Sequence, residues 1–356
     1  MVDQEDFRIR EKVIAEIFPY QLNFVKAART SRDVLNRRSI YYVRFLSQET
    51  KKEGWGECAP IFGLSPETEE SLLGELEFAL KDFLSKGFIE RKFGPAIHFA
   101  IETAWLDYLN GGEGNLFPTT MLNPIPINGL VWMNRKNEML SEAREKINNG
   151  YSTIKLKIGG ISFEDELDIL RALRADFSSD RLTIRLDANG AFKEQDALFK
   201  LDQLAKFDIH SIEQPIQPGN WPFLRKLCAQ SSIPIALDEE LIGVSDLLKK
   251  DELLSQIEPA YIILKPTLHG GMQGCDEWIH YAEQKNIKWW VTSALESSVG
   301  LNAIAQWVST KPIQMPQGLG TGSLYSNNLP AQWISEQGYI HFQGQRTDSI
   351  ISYVSR

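Results

Sequence analysis

From about residue 124 onward, short apolar runs recur, and most end in a polar residue at nearly constant spacing. Lys157, Asp187, Glu213, Asp238, Lys265 and Ser293 follow one another at intervals of 30, 26, 25, 27 and 28 residues. The runs read as strands over 126–131, 153–158, 182–187, 211–214, 234–237, 260–264, 288–291 and near Gly318. Helix-like stretches such as 163–173 and 193–205 lie between them. Repeated strand–helix units imply parallel strands joined by crossover helices. About 30 residues per unit is the repeat of a closed eight-stranded barrel of about 250 residues. In such a barrel the strand-end residues point into one shared mouth. An open doubly wound sheet would spread them along a line, and no Gly-rich nucleotide fingerprint follows an early strand. The fold class expected is therefore α/β.

The chain before this repeat follows another rule. Residues 40–45 and 55–60 have strand character, and the latter are expected to end a small antiparallel sheet. Ser65-Pro66-Glu67 has the form of a helix start, with Ser as cap and Pro in the first turn. A second helix is expected over 95–109, where Ile97, Ala100, Ile101, Ala104, Trp105 and Leu106 recur with helical period, and Gly111-Gly112 closes it. Strands followed by helices indicate an α+β domain over residues 1–122, completed by a returning tail over 325–356, with the barrel over 123–324.

Composition removes several function classes. The chain has 356 residues, a formal net charge of -9 and a pI of about 5.3. That balance disfavours nucleic acid and anionic membranes as partners, since both reward clustered Lys and Arg. A small anionic substrate stays possible, because local charge decides that. The three cysteines, Cys58, Cys228 and Cys275, form no CxxC pair and read as reduced thiols. The N-terminus is charged without an apolar stretch, and no run approaches the roughly 20 residues of a membrane span. A cytoplasmic location is expected. The five histidines are not spaced as a metal or triad set. The oligomeric state is not encoded in any feature of the sequence.

The polar strand ends carry the chemistry. Asp187, Glu213 and Asp238 would converge in a barrel mouth and repel one another. A hard divalent cation with oxygen ligands relieves this, and magnesium suits such carboxylates, with manganese as an accepted substitute. Glu239 and Glu240 compete for the third position; Asp238 is favoured because it comes first at the strand end. In Thr153-Ile154-Lys155-Leu156-Lys157 the two lysines share one face while Ile154 and Leu156 share the other. Lysines turned into a barrel are costly unless they work. Lys265 also ends an apolar strand. A lysine desolvated near a cation has a lowered pKa and can act as a neutral base. With a magnesium ion it can remove a proton α to a carboxylate, a pairing already described for the enolase superfamily.

Taken together, Lys-x-Lys, Asp-Ala-Asn, Glu-Gln-Pro, Asp-Glu and Lys-Pro, in this order and spacing, resemble the muconate-lactonizing subgroup of the enolase superfamily. The resemblance covers nearly the whole chain and implies a modified (β/α)7β TIM-like barrel with an α+β capping domain. Residues 293–300, Ser-Ala-Leu-Glu-Ser-Ser-Val-Gly, and 318–322, Gly-Leu-Gly-Thr-Gly, with Asn327-Asn328 after them, resemble a dehydratase branch of that subgroup. By the resemblance, Asp187, Glu213 and Asp238 bind magnesium with Glu239 behind them. Lys157 removes the α-proton and returns it to the departing hydroxide, and Lys265 stabilises the enediolate from the opposite side. Lys155, Arg185, Asn189, Ser293 and Ser297 fall on substrate-binding positions. The cap would close over the mouth through residues 22–31. The substrate implied is a small anionic carboxylate.

Two other readings share these residues. A racemase of N-succinylamino acids or an epimerase of dipeptides uses the same metal and a lysine on each side. Dipeptide epimerases usually carry Asp-x-Asp on the last barrel strand, where this chain has Gly-Leu-Gly-Thr-Gly. A barrel that has lost catalysis and only binds is the third reading, and the full set of acids and lysines argues against it.

Overall fold

The computed structural model describes residues 12–29, 34–346 and 349–354. Strands β1 (Val13–Arg29), β2 (Val34–Ser47) and β3 (Glu53–Cys58) form an antiparallel sheet in that order. Both faces of this sheet are covered, because alternate residues of β2 point opposite ways. Val43 and Phe45 pack under helices α1 (Leu72–Lys86) and α2 (Pro95–Leu109). Ile40 and Tyr42 pack on the other side with Leu22, Tyr325, Leu329 and Ile350, so the C-terminal tail returns to this sheet. Helix α2 lies directly on β3 because Gly54 and Gly56 leave room. A Cβ at Gly56 would stand 2.1 Å from the Ala100 carbonyl oxygen.

Helix α2 spans the residues expected of it. Helix α1 does not: it starts at Leu72, after Ser71. Ser65 instead accepts a hydrogen bond from the Ile61 amide within a tight turn, at 2.8 Å. Glu67 reaches α2, whose Ala96 amide donates to it at 2.7 Å. The start signal was misplaced because Glu67 caps a distant helix whose own cap position, Gly94, has no side chain to offer.

The barrel follows. After a short strand β4 (Ile125–Pro126), it comprises in chain order β5 (Gly129–Val131), α3 (Lys136–Asn148), β6 (Thr153–Lys157), α4 (Phe163–Asp176) and β7 (Thr183–Asp187). Then come α5 (Glu194–Leu204), β8 (Ile209–Glu213), α6 (Trp221–Gln230), β9 (Ile235–Leu237), α7 (Leu247–Ile257) and β10 (Tyr261–Leu264). Helix α8 (Gly271–Gln284), β11 (Lys288–Val291) and α9 (Ser298–Ser309) complete it. Strands β5 to β11 pair side by side in sequence order as a seven-stranded sheet, each pair parallel. The strand expected near Gly318 is only a bridge. Gly318 pairs with Thr292 and Gln317 with Ile127, which joins the two edges of the sheet.

The single strand expected over 126–131 is two. Strand β4 pairs with β13 (Tyr339–Phe342), which pairs with β12 (Trp333–Glu336), and only β5 joins the barrel. Pro126 has no amide hydrogen to offer, and the chain changes partners just after it. A last short helix, α10 (Ile351–Val354), ends the described chain. Outward-facing strand residues such as Ile154, Leu156, Ile184, Leu186 and Ile212 are buried beneath the helices. Each contributes about 1.5–3 kcal/mol by leaving water. Among the described residues no helix is long and apolar enough to cross a membrane.

Candidate active site

Strand register sets the site. Lys157 on β6 pairs with Asp187 on β7, and Asp187 pairs with Glu213 on β8, so the three side chains stand in one row. Asp238 follows directly after β9 and Lys265 after β10. One step down each strand is a second row in which Lys155 pairs with Arg185 and Arg185 with Ser211. The inward face thus carries charge and the outward face carries the core, as the alternation in β6 implied.

All three acids are buried, with Asp187 at 0%, Glu213 at 1% and Asp238 at 1% exposure. Their charge is balanced by lysines. Lys155 Nζ lies 2.9 Å from Asp187 Oδ2 and 3.0 Å from Glu213 Oε2. Lys157 Nζ donates to Asp187 Oδ2 at 2.6 Å and to Asn189 Oδ1 at 2.8 Å. Lys265 Nζ donates to Asp238 Oδ2. Burial works against charged Lys155 and Lys265, but the facing carboxylates overcome it and hold both ammonium groups above their ordinary values. Asp187 is likewise held well below the carboxylate range: burial opposes this, and Lys155 and Lys157 prevail. Glu213 is pushed up by burial and by Asp187, against the pull of Lys155.

Around this row the expected residues divide. Asn189 belongs to it. With a left-handed backbone (φ 44°), it accepts from Lys157 and donates Nδ2 to Glu239 Oε1 at 3.0 Å. Glu239 therefore stands behind Asn189. Arg185 does not reach the mouth. Its guanidinium lies 4.1 Å from the centre of the Trp290 ring and donates to the Pro316 carbonyl at 2.8 Å, in the floor of the barrel. Ser293 lines the cavity, but its hydroxyl is engaged with Glu296. Ser297 is turned away, its hydroxyl donating to Glu57 at 2.5 Å. Substrate contact through Arg185 or the Ser297 hydroxyl does not fit these positions. His269 is buried beneath the site and accepts from the Lys265 amide at 3.0 Å.

The mouth encloses a cavity of about 300 Å³, lined by Lys155, Lys157 and Lys265 together with Asp238. Its opposite wall comes from the cap: Leu35, Ile61, Phe62 and Leu64. Of the closing segment expected over 22–31, the part from 22 to 29 does not line the cavity. Leu22 is buried in the cap's own core, residues 22–29 belong to β1, and residues 30 and 31 lie outside the described residues. Other supports escaped the sequence reading. Gln214 Oε1 accepts from the Asp238 and Glu240 amides at 3.3 Å, fixing the turn that presents Asp238. Its place in Glu-Gln-Pro was the available signal.

Among the described residues no three His, Cys, Asp or Glu side chains are gathered as a ready cation cage, because the acids are turned to the lysines. Two oxygens nevertheless have no partner: Glu213 Oε1 and Asp238 Oδ1 are buried without a hydrogen bond. Orphaned carboxylate oxygens beside Asp187, all hard donors, fit a hard divalent cation.

Fold and site define a barrel enzyme with its chemistry at the C-terminal ends of the strands. Residues 138–344 match the family described as Enolase C-terminal domain-like. The o-succinylbenzoate synthase of Desulfotalea psychrophila is 39% identical over 90% of this chain and 96% of its own length. A crystal structure of MenC from that organism superposes with a TM-score of 0.79 at 35% identity, covering 92% of this chain and 99% of that one. A dipeptide epimerase from Enterococcus faecalis, solved with Mg and a dipeptide, shares the fold, with a TM-score of 0.78 at 19% identity over 93% of this chain and 97% of its own. The chain belongs to the enolase superfamily and, within it, to the family of the o-succinylbenzoate synthases, which are lyases.

Proposed function

We propose that this enzyme is a magnesium-dependent o-succinylbenzoate synthase. It would dehydrate 2-succinyl-6-hydroxy-2,4-cyclohexadiene-1-carboxylate to 2-succinylbenzoate in menaquinone (vitamin K2) biosynthesis. The observation that carries the chemistry, one shared with the racemases, is the placement of Lys157 and Lys265 on different walls of one cavity, on strands separated by the three acid-bearing ones. The 39% identity to a relative bearing that name supports the choice of substrate.

Asp187, Glu213 and Asp238 would hold the metal. A bound magnesium, or manganese in its place, supplies positive charge beside the substrate carboxylate and so favours the enediolate. Lys155, in the deeper row, holds that carboxylate. Asn189 fixes the Lys157 ammonium nitrogen, which as the free amine takes the proton from C1. The C–H electron pair moves into the enediolate, and Lys265 stabilises its charge from the other wall, over the ring face. As the carboxylate re-forms, the C6–O bond breaks and Lys157 returns its proton to the leaving hydroxide as water. One lysine serves both steps, so proton and hydroxide leave from the same face. The ring becomes aromatic, which drives the second step.

The apolar cap wall suits a hydrocarbon ring better than a charged peptide backbone. The segment around Gly318, Gly320 and Thr321, which lines the cavity, has no acid to meet a dipeptide ammonium. A racemase of N-succinylamino acids remains the nearer rival, since its substrate has no free ammonium. The net charge of -9 and the three unpaired thiols support a cytoplasmic enzyme with no nucleic-acid or membrane partner. A substrate panel tests the choice: the diene acid, an N-succinylamino acid and an L-Ala dipeptide, each followed by NMR in D2O. The reading requires aromatisation of the first at a higher kcat/KM than α-exchange of the others. Faster α-exchange of either of the others, with no aromatisation, overturns it.

A further inference from the structure

Two segments form facing walls of the cavity: residues 61–64 of the cap and residues 292–295 of the barrel. Between them lies Arg38, on β2, only 7% exposed. Its guanidinium donates Nη1 to the carbonyls of Ala294 and Leu295 and Nη2 to the carbonyl of Ala59. An arginine buried with three backbone carbonyls on its fork and the Tyr325 hydroxyl beside it spends that fork on backbone geometry, since the rigid planar fork fixes the relative position of every acceptor it meets. Ala59 follows directly after β3 and leads into the cap wall, and Leu35, three residues before Arg38, lines the same cavity.

The barrel segment needs such a hold. Leu295 has a left-handed backbone, φ 65°, which a leucine keeps only where its surroundings impose it. Its carbonyl also accepts from Tyr325 Oη at 2.6 Å, and its amide donates to Ser293 Oγ at 3.0 Å. Glu57, on the strand beside β2, takes the next stretch. It accepts from the Ser297 amide at 2.8 Å, the Ser297 hydroxyl at 2.5 Å and the Gly300 amide at 2.8 Å. The cap therefore grips 294–300 with a cation on its carbonyls and an anion on its amides.

We propose that Arg38 is a positioning residue for the substrate pocket: by tying Ala59 to Ala294 and Leu295 it sets the gap between the cap wall and the barrel wall, and with it the fit of the substrate's side chain. This rests on the proposed function for the identity of the substrate, and on the geometry alone for the hold itself. Arg346 provides a control. It also joins distant parts of the chain, donating to Asp107 Oδ2 at 3.2 Å and to the Gly112 carbonyl at 2.8 Å, and it does not line the cavity.

Hydrogen–deuterium exchange of the full chain should show faster exchange over 293–300 in R38M, and not in R346M. With the diene acid, R38M should raise KM about tenfold with kcat within about threefold of wild type, as expected when ground-state fit is lost. R38K, which keeps a donor at the site, should recover part of both effects; it carries the same comparison if R38M does not fold. Unchanged exchange over 293–300 in the Arg38 variants, or an equal KM rise in R346M, overturns the proposal. If wild type leaves the diene acid untouched, the functional reading fails separately, and the exchange comparison alone decides the role of Arg38.

Discussion

Lys157 can serve as a base only if its nitrogen is held against the reacting carbon, and two groups hold it: Asp187 and Asn189. Asn189 is in turn anchored by Glu239. Replacing Asn189 with leucine removes the acceptor and leaves the Glu239 bond unmade. A misplacement of this kind costs about a hundredfold in rate. N189L should therefore lower kcat by that order while the far-ultraviolet spectrum stays that of wild type; an unchanged kcat would remove Asn189 from the machinery. Glu57 has a different signature. Burial, opposed by its bonds to Ser297 and aided by Glu296, pushes its carboxyl up from the ordinary range to about 7. Tyr42, Tyr325 and Cys58 lie within reach of its charge. The folded state thus binds the proton more tightly than the unfolded chain. The stability this provides is complete below the unfolded value and is lost as pH rises through about 7. The fall in urea midpoint between pH 5 and pH 8 should be smaller in E57Q than in wild type. Equal falls would show that Glu57 does not titrate there.

At the scale of elements, most barrel strands were legible because the buried run is apolar on its outer face and ends in a polar residue. That periodicity survives without knowledge of any partner. Helix α2 was legible for the same reason. What was not legible depends on residues far apart in the chain. Ser297 reads as a substrate contact until Glu57, 240 positions earlier, claims its hydroxyl. Arg38 reads as one more strand arginine until the carbonyls of Ala294 and Leu295 close around it. Arg185 shares a face with Asp187, as its spacing implies, but its guanidinium is taken by the Trp290 ring and the Pro316 carbonyl and stays out of the cavity. Packing of α2 on β3 depends on Gly54 and Gly56 in a way that only close approach reveals. A methyl at Gly54 would stand 2.1 Å from the Tyr108 amide nitrogen. G54A and G56A should each destabilise the chain by about 1–3 kcal/mol, the usual cost of overpacking. Chemical denaturation measures this, and a wild-type midpoint in both would mean that α2 can retreat freely.

For the whole molecule, cap and barrel share the cavity, and the acids at its base are only partly satisfied by the protein. A cation that binds the folded chain alone must stabilise it. At a hundredfold excess of magnesium over Kd the gain is about 2.7 kcal/mol, visible as a raised melting temperature. D238N should abolish the shift, and an identical shift in D238N would place the metal elsewhere. The claim on which the rest depends is that Lys157 and the three acids dehydrate one particular diene acid. Its loss of absorbance should be followed in wild type with magnesium, in wild type with EDTA, and in K157A with magnesium. Rapid loss in the first alone, restored to the second by excess magnesium, is the expected result. Loss at the wild-type rate in K157A, or no loss in any of the three, would contradict the account.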